Sequence, residues 1–306
     1  MTADPRPVTI LLCTFNGARF LPALLASLVV QTHENWALWI SDDGSTDDTL
    51  EVCRAFRDQY PQWDIRLVTG PQKGAAANFL SLLCHPDLPE GLVALSDQDD
   101  IWLTGKLERA LRQMTGKGPV IYSAQSRYID AAGQNRGRSQ PPSAQPEFAT
   151  AMLQNVLAGH SMVLNPDAMA LVRRAGVVTV PFHDWWLTLL VTACGGRAVM
   201  DRQAVLLYRQ HEANVLGAPG GWRAGMRRAR AVWGQDYRHW VGANVRALLT
   251  VPGLLAPQSR AVVEAFVAAP SGGGPRRLAL LWRLGLRRQG WRATVLVYLA
   301  ALFGRI

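Results

Sequence analysis

Cysteine is scarce in this chain. Cys13, Cys53, Cys84 and Cys194 are its only four, and no two stand at C-x-x-C spacing. That excludes a disulfide framework and a thiolate zinc site as organising devices. Cys13 and Cys84 lie in apolar runs, the setting of buried thiols in reducing compartments. No uninterrupted apolar stretch reaches the ~20 residues that a bilayer-spanning helix needs. The polar start Met1-Thr2-Ala3-Asp4-Pro5-Arg6-Pro7 passes straight into a strand pattern without a secretory signal, so a cytosolic protein is expected. Acidic residues nearly vanish from the last quarter. Residues 220–306 hold only Asp236 and Glu264 against 14 Arg and no Lys, a net charge of +12, whereas residues 1–219 carry −3. The whole basic excess of +9 therefore belongs to the tail, and such a tail meets phosphates on nucleic acid or on a membrane. Hydrophobic content of 49% with 18% charged residues describes a chain that folds around a full core.

The first half alternates strand and helix patterns. Val8-Thr9-Ile10-Leu11-Leu12-Cys13 is a continuous apolar run, as in a strand covered on both faces. Leu21, Leu24, Leu25 and Leu28 follow at helical spacing. Trp36-Ala37-Leu38-Trp39-Ile40 is a second strand ending in Ser41-Asp42-Asp43-Gly44, and Ser45 with Asp48 predicts a capping box opening a helix over 47–59. Ile65-Arg66-Leu67-Val68 is a third strand, and Gly70 to Gly74 leads into a helix over 75–84. Gly91 to Leu95 is a fourth. This order predicts an α/β fold with a mostly parallel sheet flanked by helices, whose ligands bind beyond the carboxyl ends of the strands. Val120-Ile121-Tyr122-Ser123 restarts a strand. Residues 133–147, rich in Gly, Gln, Pro and Ser, read as a mobile loop, either a lid or an insertion of no consequence.

The fourth strand runs into Ser96-Asp97-Gln98-Asp99-Asp100-Ile101-Trp102. Three carboxylates within four positions repel one another unless a cation lies between them. An oxygen-preferring ion such as Mg²⁺ or Mn²⁺ fits that need and keeps positions open for phosphate oxygens. Asp42 and Asp43 end the second strand at the same edge, where a carboxylate accepts from ribose hydroxyls or a base N–H; a helix-capping turn accounts for Asp-Asp-Gly-Ser equally well. Thr14 and Asn16 offer a hydroxyl, an amide and backbone groups to a nucleotide. In His183-Asp184-Trp185-Trp186, two indoles suit the packing of sugar C–H faces, with His183 beside them, and Asp184 suits proton abstraction from an acceptor hydroxyl. An aromatic core cluster with an Asp helix cap is the other reading. In Tyr208-Arg209-Gln210-His211, the guanidinium of Arg209 suits phosphate charge and His211 suits a metal sphere.

Taken together these elements resemble the inverting nucleotide-sugar glycosyltransferases of family 2, which have the GT-A fold. The resemblance rests on Thr14-Phe15-Asn16-Gly17, Ser41 to Asp47, Gly74 with Asn78-Phe79, and Asp97-Gln98-Asp99-Asp100-Ile101-Trp102 with Lys106-Leu107. It continues through His183-Asp184-Trp185-Trp186 and Tyr208-Arg209-Gln210-His211, and covers about residues 7–215. The wording is most similar to the rhamnosyltransferase-type branch of bacterial surface-polysaccharide synthesis. The resemblance implies a catalytic domain over 1–219 that takes a nucleotide-diphosphate sugar, with dTDP-rhamnose as that branch's donor, and transfers the sugar with inversion to a glycan or lipid-linked acceptor. Thr14, Asn16, Asp42, Asp43, Asn78, Asp97 and Gln98 then bind the nucleotide sugar. Asp97, Asp99 and His211 hold Mg²⁺ or Mn²⁺ in a DXD-type motif, and Asp184 is the general base.

Residues 220–306 form a helical appendage that mixes Arg pairs with Trp222, Trp233, Trp240, Trp282 and Trp291. Arg with interfacial Trp suits an anionic membrane surface on the inner face of the cell membrane, where a lipid-linked acceptor resides. The other reading is an appendage whose Trp residues pack on the catalytic domain. A nucleic-acid-binding protein is disfavoured by the net acidic front and the missing recognition motif. A metal-dependent nucleotidyl or phosphoryl transferase also uses paired Asp, but needs more basic phosphate loops than the lone Arg19 between the first two strands.

Overall fold

β1 (Val8–Thr14) is apolar along most of its length because both of its faces are covered. In the computed structural model, which describes residues 6–210, 235–269 and 274–306, Ile10 and Leu12 point into one core and Leu11 and Cys13 into the other. The alternation is that of a pleated strand, so each neighbour repeats it: Leu38 and Ile40 face one way and Trp39 the other.

The chain runs β1, α1 (Leu21–Val29), β2 (Trp36–Asp42), α2 (Thr49–Gln59), β3 (Ile65–Thr69), α3 (Ala75–Leu83), β4 (Leu92–Asp97), β5 (Ile101–Trp102) and α4 (Lys106–Gln113). It continues through β6 (Val120–Asp130), β7 (Asn135–Arg138), α5 (Phe148–Ala151), β8 (Val163–Leu164), α6 (Pro166–Ala175), α7 (His183–Ala193) and β9 (Arg197–Gln210). The described C-terminal helices are α8 (Gln235–Leu249), α9 (Pro257–Ala268), α10 (Pro275–Arg283) and α11 (Trp291–Leu302).

Nine strands form one mixed sheet in the order β3-β2-β1-β4-β8-β6-β9-β5, with β7 pairing β6. The quartet β3-β2-β1-β4 is parallel throughout; the other half mixes antiparallel pairings with the long parallel pair of β6 and β9. This is the expected α/β architecture, with its parallel half built from the β-α units read in the sequence. α1, α2 and α4 supply one core, and α3, α6 and α7 the other.

The second core does not stop at α7. Tyr237, Val241, Leu248, Val263, Leu281 and Val297 of α8 to α11 join it. The boundary expected at 219–220 falls outside the described residues, as do Trp222, Trp233 and His211. Trp240 meets Phe182 edge-on, so part of the tail's aromatic content packs on the catalytic domain.

Two local expectations are corrected. The segment 133–147 contains β7, an exposed strand paired with β6 rather than a loop throughout. Ser45 does not cap α2: its hydroxyl donates to Asp42, and α2 begins at Thr49 beside the accepting carboxylate of Asp47.

Candidate active site

Thr14 pairs with Asp42, and Cys13 with Asp97, in the β1–β2 and β1–β4 ladders. Parallel register alone thus brings three polar strand ends to one edge, as the sequence order predicted.

The carboxylates at this edge have different surroundings. Asp42 accepts from Thr14 Oγ1 (2.9 Å), Ser45 Oγ (2.6 Å), Ser45 N (2.8 Å) and Gly44 N (3.1 Å). Asp43 accepts from the backbone N–H of Gln72 (2.6 Å) and Gly74 (2.7 Å), which bends the loop before α3 toward β2. Asn78 is buried, accepting from Ser41 Oγ and donating to Ser41 O. Gly70 lies beneath these groups, where a Cβ would stand 2.7 Å from Asn78 Oδ1 and 2.8 Å from Asp43 Oδ1. Thr14, Asp42, Asp43 and Asn78 therefore build the walls of the edge by organising backbone.

Asn16 adopts φ +47° and accepts from Thr46 N at 2.8 Å. Gln98 pins the Phe15 peptide from both sides, accepting from its N–H and donating to its carbonyl, each at 2.9 Å. A Cβ on Gly17 would fall 2.1 Å from Gln98 Oε1, so only glycine admits this clamp. Phe15 itself is exposed.

Asp97 ends β4, half-buried. Burial pushes its carboxyl up to about 7, the charges of Asp99 and Asp184 push the same way, and Lys106 opposes them. Asp100 is fully buried and raised by burial and by Asp99 and Asp97; Oδ1 accepts from Arg209 N at 3.2 Å, while Oδ2 has no partner. Lys106 is buried beneath them, donating to the His160 carbonyl at 2.8 Å, with its ammonium 3.3 Å from the centroid of the Trp102 ring. Oxygen and nitrogen atoms of Asp97, Asp100 and His160 lie within 4.8 Å of one another. Crowded carboxylates and an orphaned buried oxygen fit a hard divalent cation.

His160 was missed in the sequence, where it is one of a few polar residues in the largely apolar stretch 151–172. Its ring lies 4.8 Å from that of Tyr208, Nε2 is 2.8 Å from Ser126 Oγ, and burial pulls its pKa down to about 3, so the ring is neutral.

Asp184 stands in the first turn of α7, next to this cluster. Its Oδ1 accepts from Trp185 N (2.8 Å) and Oδ2 from Gly159 N (3.2 Å). His183 stacks on Phe79 with centroids 4.2 Å apart, and burial lowers its pKa against the pull of Asp184.

The structure corrects two expectations. Trp185 and Trp186 are buried in the core, with Trp185 Nε1 donating to Ala151 O, so neither indole offers a face to a sugar. Arg209 is buried too: its guanidinium donates to the carbonyls of Asp99, Asp130 and Ala131, bracing the acidic turn from behind rather than reaching a phosphate. Helical periodicity explains the first case, since α7 is sheathed on all sides and its aromatic pair lies inside.

Residues 9–178 match the model for glycosyl transferase family 2. The chain belongs to that family. As a family 2 glycosyltransferase it is similar to dTDP-rhamnosyl transferase RfbG of Shigella flexneri, at 27% identity over 247 residues, 78% of this chain and 84% of that one. It is also similar to the UDP-Glc:alpha-D-GlcNAc-diphosphoundecaprenol beta-1,3-glucosyltransferase WfgD of Escherichia coli, at 32% identity over 112 residues, 36% of this chain and 42% of that one. Among solved structures, the mannosyltransferase PcManGT of Pyrobaculum calidifontis, in complex with GDP-Man and Mn²⁺, superposes with a TM-score of 0.55 at 20% identity over 98% of this chain and 88% of that one. S. aureus TarS 1–349 with UDP-GlcNAc gives 0.55 at 13% identity over 96% and 90%. At those identities the likeness is one of fold, and the fold is GT-A.

Proposed function

We propose that this glycosyltransferase moves a sugar from a nucleoside-diphosphate sugar to a hydroxyl of a glycan or lipid-linked acceptor, with inversion. The observation that carries the reading is the placement of Asp184 beside the Asp97 cluster: its Oδ2 accepts from Gly159 N, next in the chain to His160, and its charge acts on Asp97. One carboxylate lies beside the diphosphate edge and the other is free for the proton, which suits a single displacement.

Asp184 takes the proton from the acceptor hydroxyl as its oxygen bonds to the anomeric carbon, while the bond from that carbon to the phosphate oxygen breaks and the nucleoside diphosphate leaves with the electron pair. Two backbone N–H groups hold the Asp184 carboxylate in place, and lone pairs remain on both oxygens for the incoming proton. Neutral His183, stacked on Phe79, adds no competing positive charge. Asp97 would hold a Mg²⁺ or Mn²⁺ ion together with Asp99, or with Asp100 and His160, whose ligand atoms lie within 4.8 Å of its own; when bound the ion neutralises charge developing on the leaving diphosphate. His211 as a further ligand lies outside the described residues. The donor best supported is dTDP-rhamnose, because the relative matched over most of both chains carries that activity in its name. A lipid-linked acceptor draws support from the diphosphoundecaprenol acceptor in the name of the shorter match.

A thermal-shift screen of nucleotide sugars with and without Mn²⁺ tests the donor. The reading expects dTDP-rhamnose to raise the melting temperature most, and only with the cation, because ligands stabilise in proportion to binding. A larger shift with another nucleotide sugar would replace the donor; no shift and no transfer with any of them would remove the reading.

A further inference from the structure

α11 is half in the core and half bare. Val297, Ala300 and Ala301 face inward and are fully buried. On the opposite side Trp291, Val295, Leu299 and Phe303 follow one another at four-residue intervals and are all exposed, Trp291 at 72% and Phe303 at 63%. Residues at that spacing share one helix face. α10 extends the surface with Trp282, 74% exposed, whose ring meets Tyr298 of α11 with centroids 6.3 Å apart. Trp282, Trp291, Val295 and Tyr298 line one open cleft of about 590 Å³ together with Arg287 and Arg288. Large apolar groups gathered on one side, rather than scattered singly, mark an interaction surface.

The charge carried by α10, α11 and the turn between them is of one sign. No acidic residue occurs after Glu264, and seven arginines do. Arg276 and Arg283 are exposed on α10, Arg292 lies 5.4 Å over the Trp291 ring, and Arg305 is exposed just beyond Phe303. Arg287, also exposed, is paired with Glu147 across the cleft. A second copy of this chain would bring arginine against arginine here. No helix among the described residues is long and apolar enough to cross a membrane, so an apolar stripe with a basic rim suits lying on a surface.

We propose that the exposed face of α10 and α11 docks on an anionic lipid surface, with Trp282, Trp291, Leu299 and Phe303 entering the headgroup boundary and Arg276, Arg283 and Arg292 meeting the lipid phosphates. Composition places basic charge and tryptophan throughout residues 220–306; the structure separates Trp240, which packs inside, from the residues of this face. The inference stands apart from the sugar-transfer reading, since it uses none of the residues near Asp97 or Asp184.

Flotation of the full-length protein with vesicles tests it without any sugar substrate. Vesicles of phosphatidylcholine mixed with phosphatidylglycerol carry the wild type upward, and vesicles of phosphatidylcholine alone do not. W291S/F303S, which alters only exposed side chains, stays at the bottom while keeping the wild-type melting temperature. R283Q/R292Q weakens partition about fivefold per arginine, and raised salt weakens the wild type likewise. A wild type that stays at the bottom overturns the proposal. So does equal flotation of wild type and both variants, which would put the contact elsewhere in the chain. Concentration-dependent dimers in light scattering that vanish in W291S/F303S would overturn it in favour of a second copy.

Discussion

Gly159 donates its backbone N–H to Asp184 Oδ2 at 3.2 Å and leaves no space for a side chain there: a Cβ would stand 2.6 Å from His183 Nε2 and 3.3 Å from Asp184 Cβ. The 3₁₀ turn Gly159–Ser161 before β8 and the first turn of α7 thus meet through one glycine. Gly159→Ala has to move either the turn or the proposed base. The expected outcome is a kcat lower by up to ~10²-fold, since displacement of a reacting group by about 1 Å costs that much. Steady-state kinetics with a melting curve check it, because stability falls by only about 1–3 kcal/mol for such overpacking.

The raised carboxyl of Asp97 makes the site sensitive to pH. Its folded value of about 7 lies above the ordinary 3.8, so between those values the folded protein keeps a proton that the unfolded chain releases. Stability of the metal-free protein therefore falls on this account as the pH rises from 3.8 to about 7. Asp97→Asn removes that loss and is more stable than wild type above neutrality. Mn²⁺ competes with the proton, so its apparent affinity in the wild type weakens as the pH drops below about 7, and the Asn variant shows a smaller response, left to the raised carboxyl of Asp100. Melting curves across pH with and without Mn²⁺ measure both, and excess EDTA abolishes transfer.

Lys106 is buried beneath two acidic groups and donates to the His160 carbonyl. Lys106→Met leaves Asp97 and Asp100 without their internal counter-charge. Removing one partner of a buried charged set costs about 3–5 kcal/mol, and the loss grows as rising pH ionises the carboxylates, until Lys106, held by burial well below its ordinary range, sheds its own proton. Lys106→Arg does not rescue it, because the ammonium already stands 3.3 Å from the Trp102 ring centroid. Urea denaturation at acid and alkaline pH reads both effects.

Trp186 separates a core role from a sugar platform. As a fully buried residue, Trp186→Ala costs about 3–5 kcal/mol. Trp186→Phe keeps enough volume to fold and leaves the acceptor KM unchanged. A raised KM in a stably folded Phe variant would restore the platform.

Sequence periodicity carried the parallel half of the sheet because each strand there is covered on both faces and reads as one apolar run. Register then followed, and with it the meeting of Thr14, Asp42 and Asp97 at one edge. What the sequence could not assign was how each polar group is held. Asp42 is fixed by the Thr14 and Ser45 hydroxyls as well as by backbone N–H groups, Asp43 accepts from two backbone N–H groups, and the Arg209 guanidinium donates to backbone carbonyls. Residue type does not distinguish those uses; only hydrogen-bond partners do. His160 escaped notice because no acidic residue, cysteine or second histidine stands beside it in sequence, and its proximity to Asp97 arises from the β4–β8 pairing. The exposed stripe on α11 is hidden in sequence by the equally apolar residues of its buried side.

The central claim is that Asp184 takes the proton while the residues around Asp97 face the leaving diphosphate. Transfer from dTDP-rhamnose in the presence of Mn²⁺ by wild type and Asp184→Asn, with donor affinity measured in parallel, tests it most directly. The account predicts a kcat lower by ~10²–10⁴-fold in the variant, with donor affinity and melting temperature unchanged. A folded Asn variant that transfers sugar at the wild-type rate would contradict it.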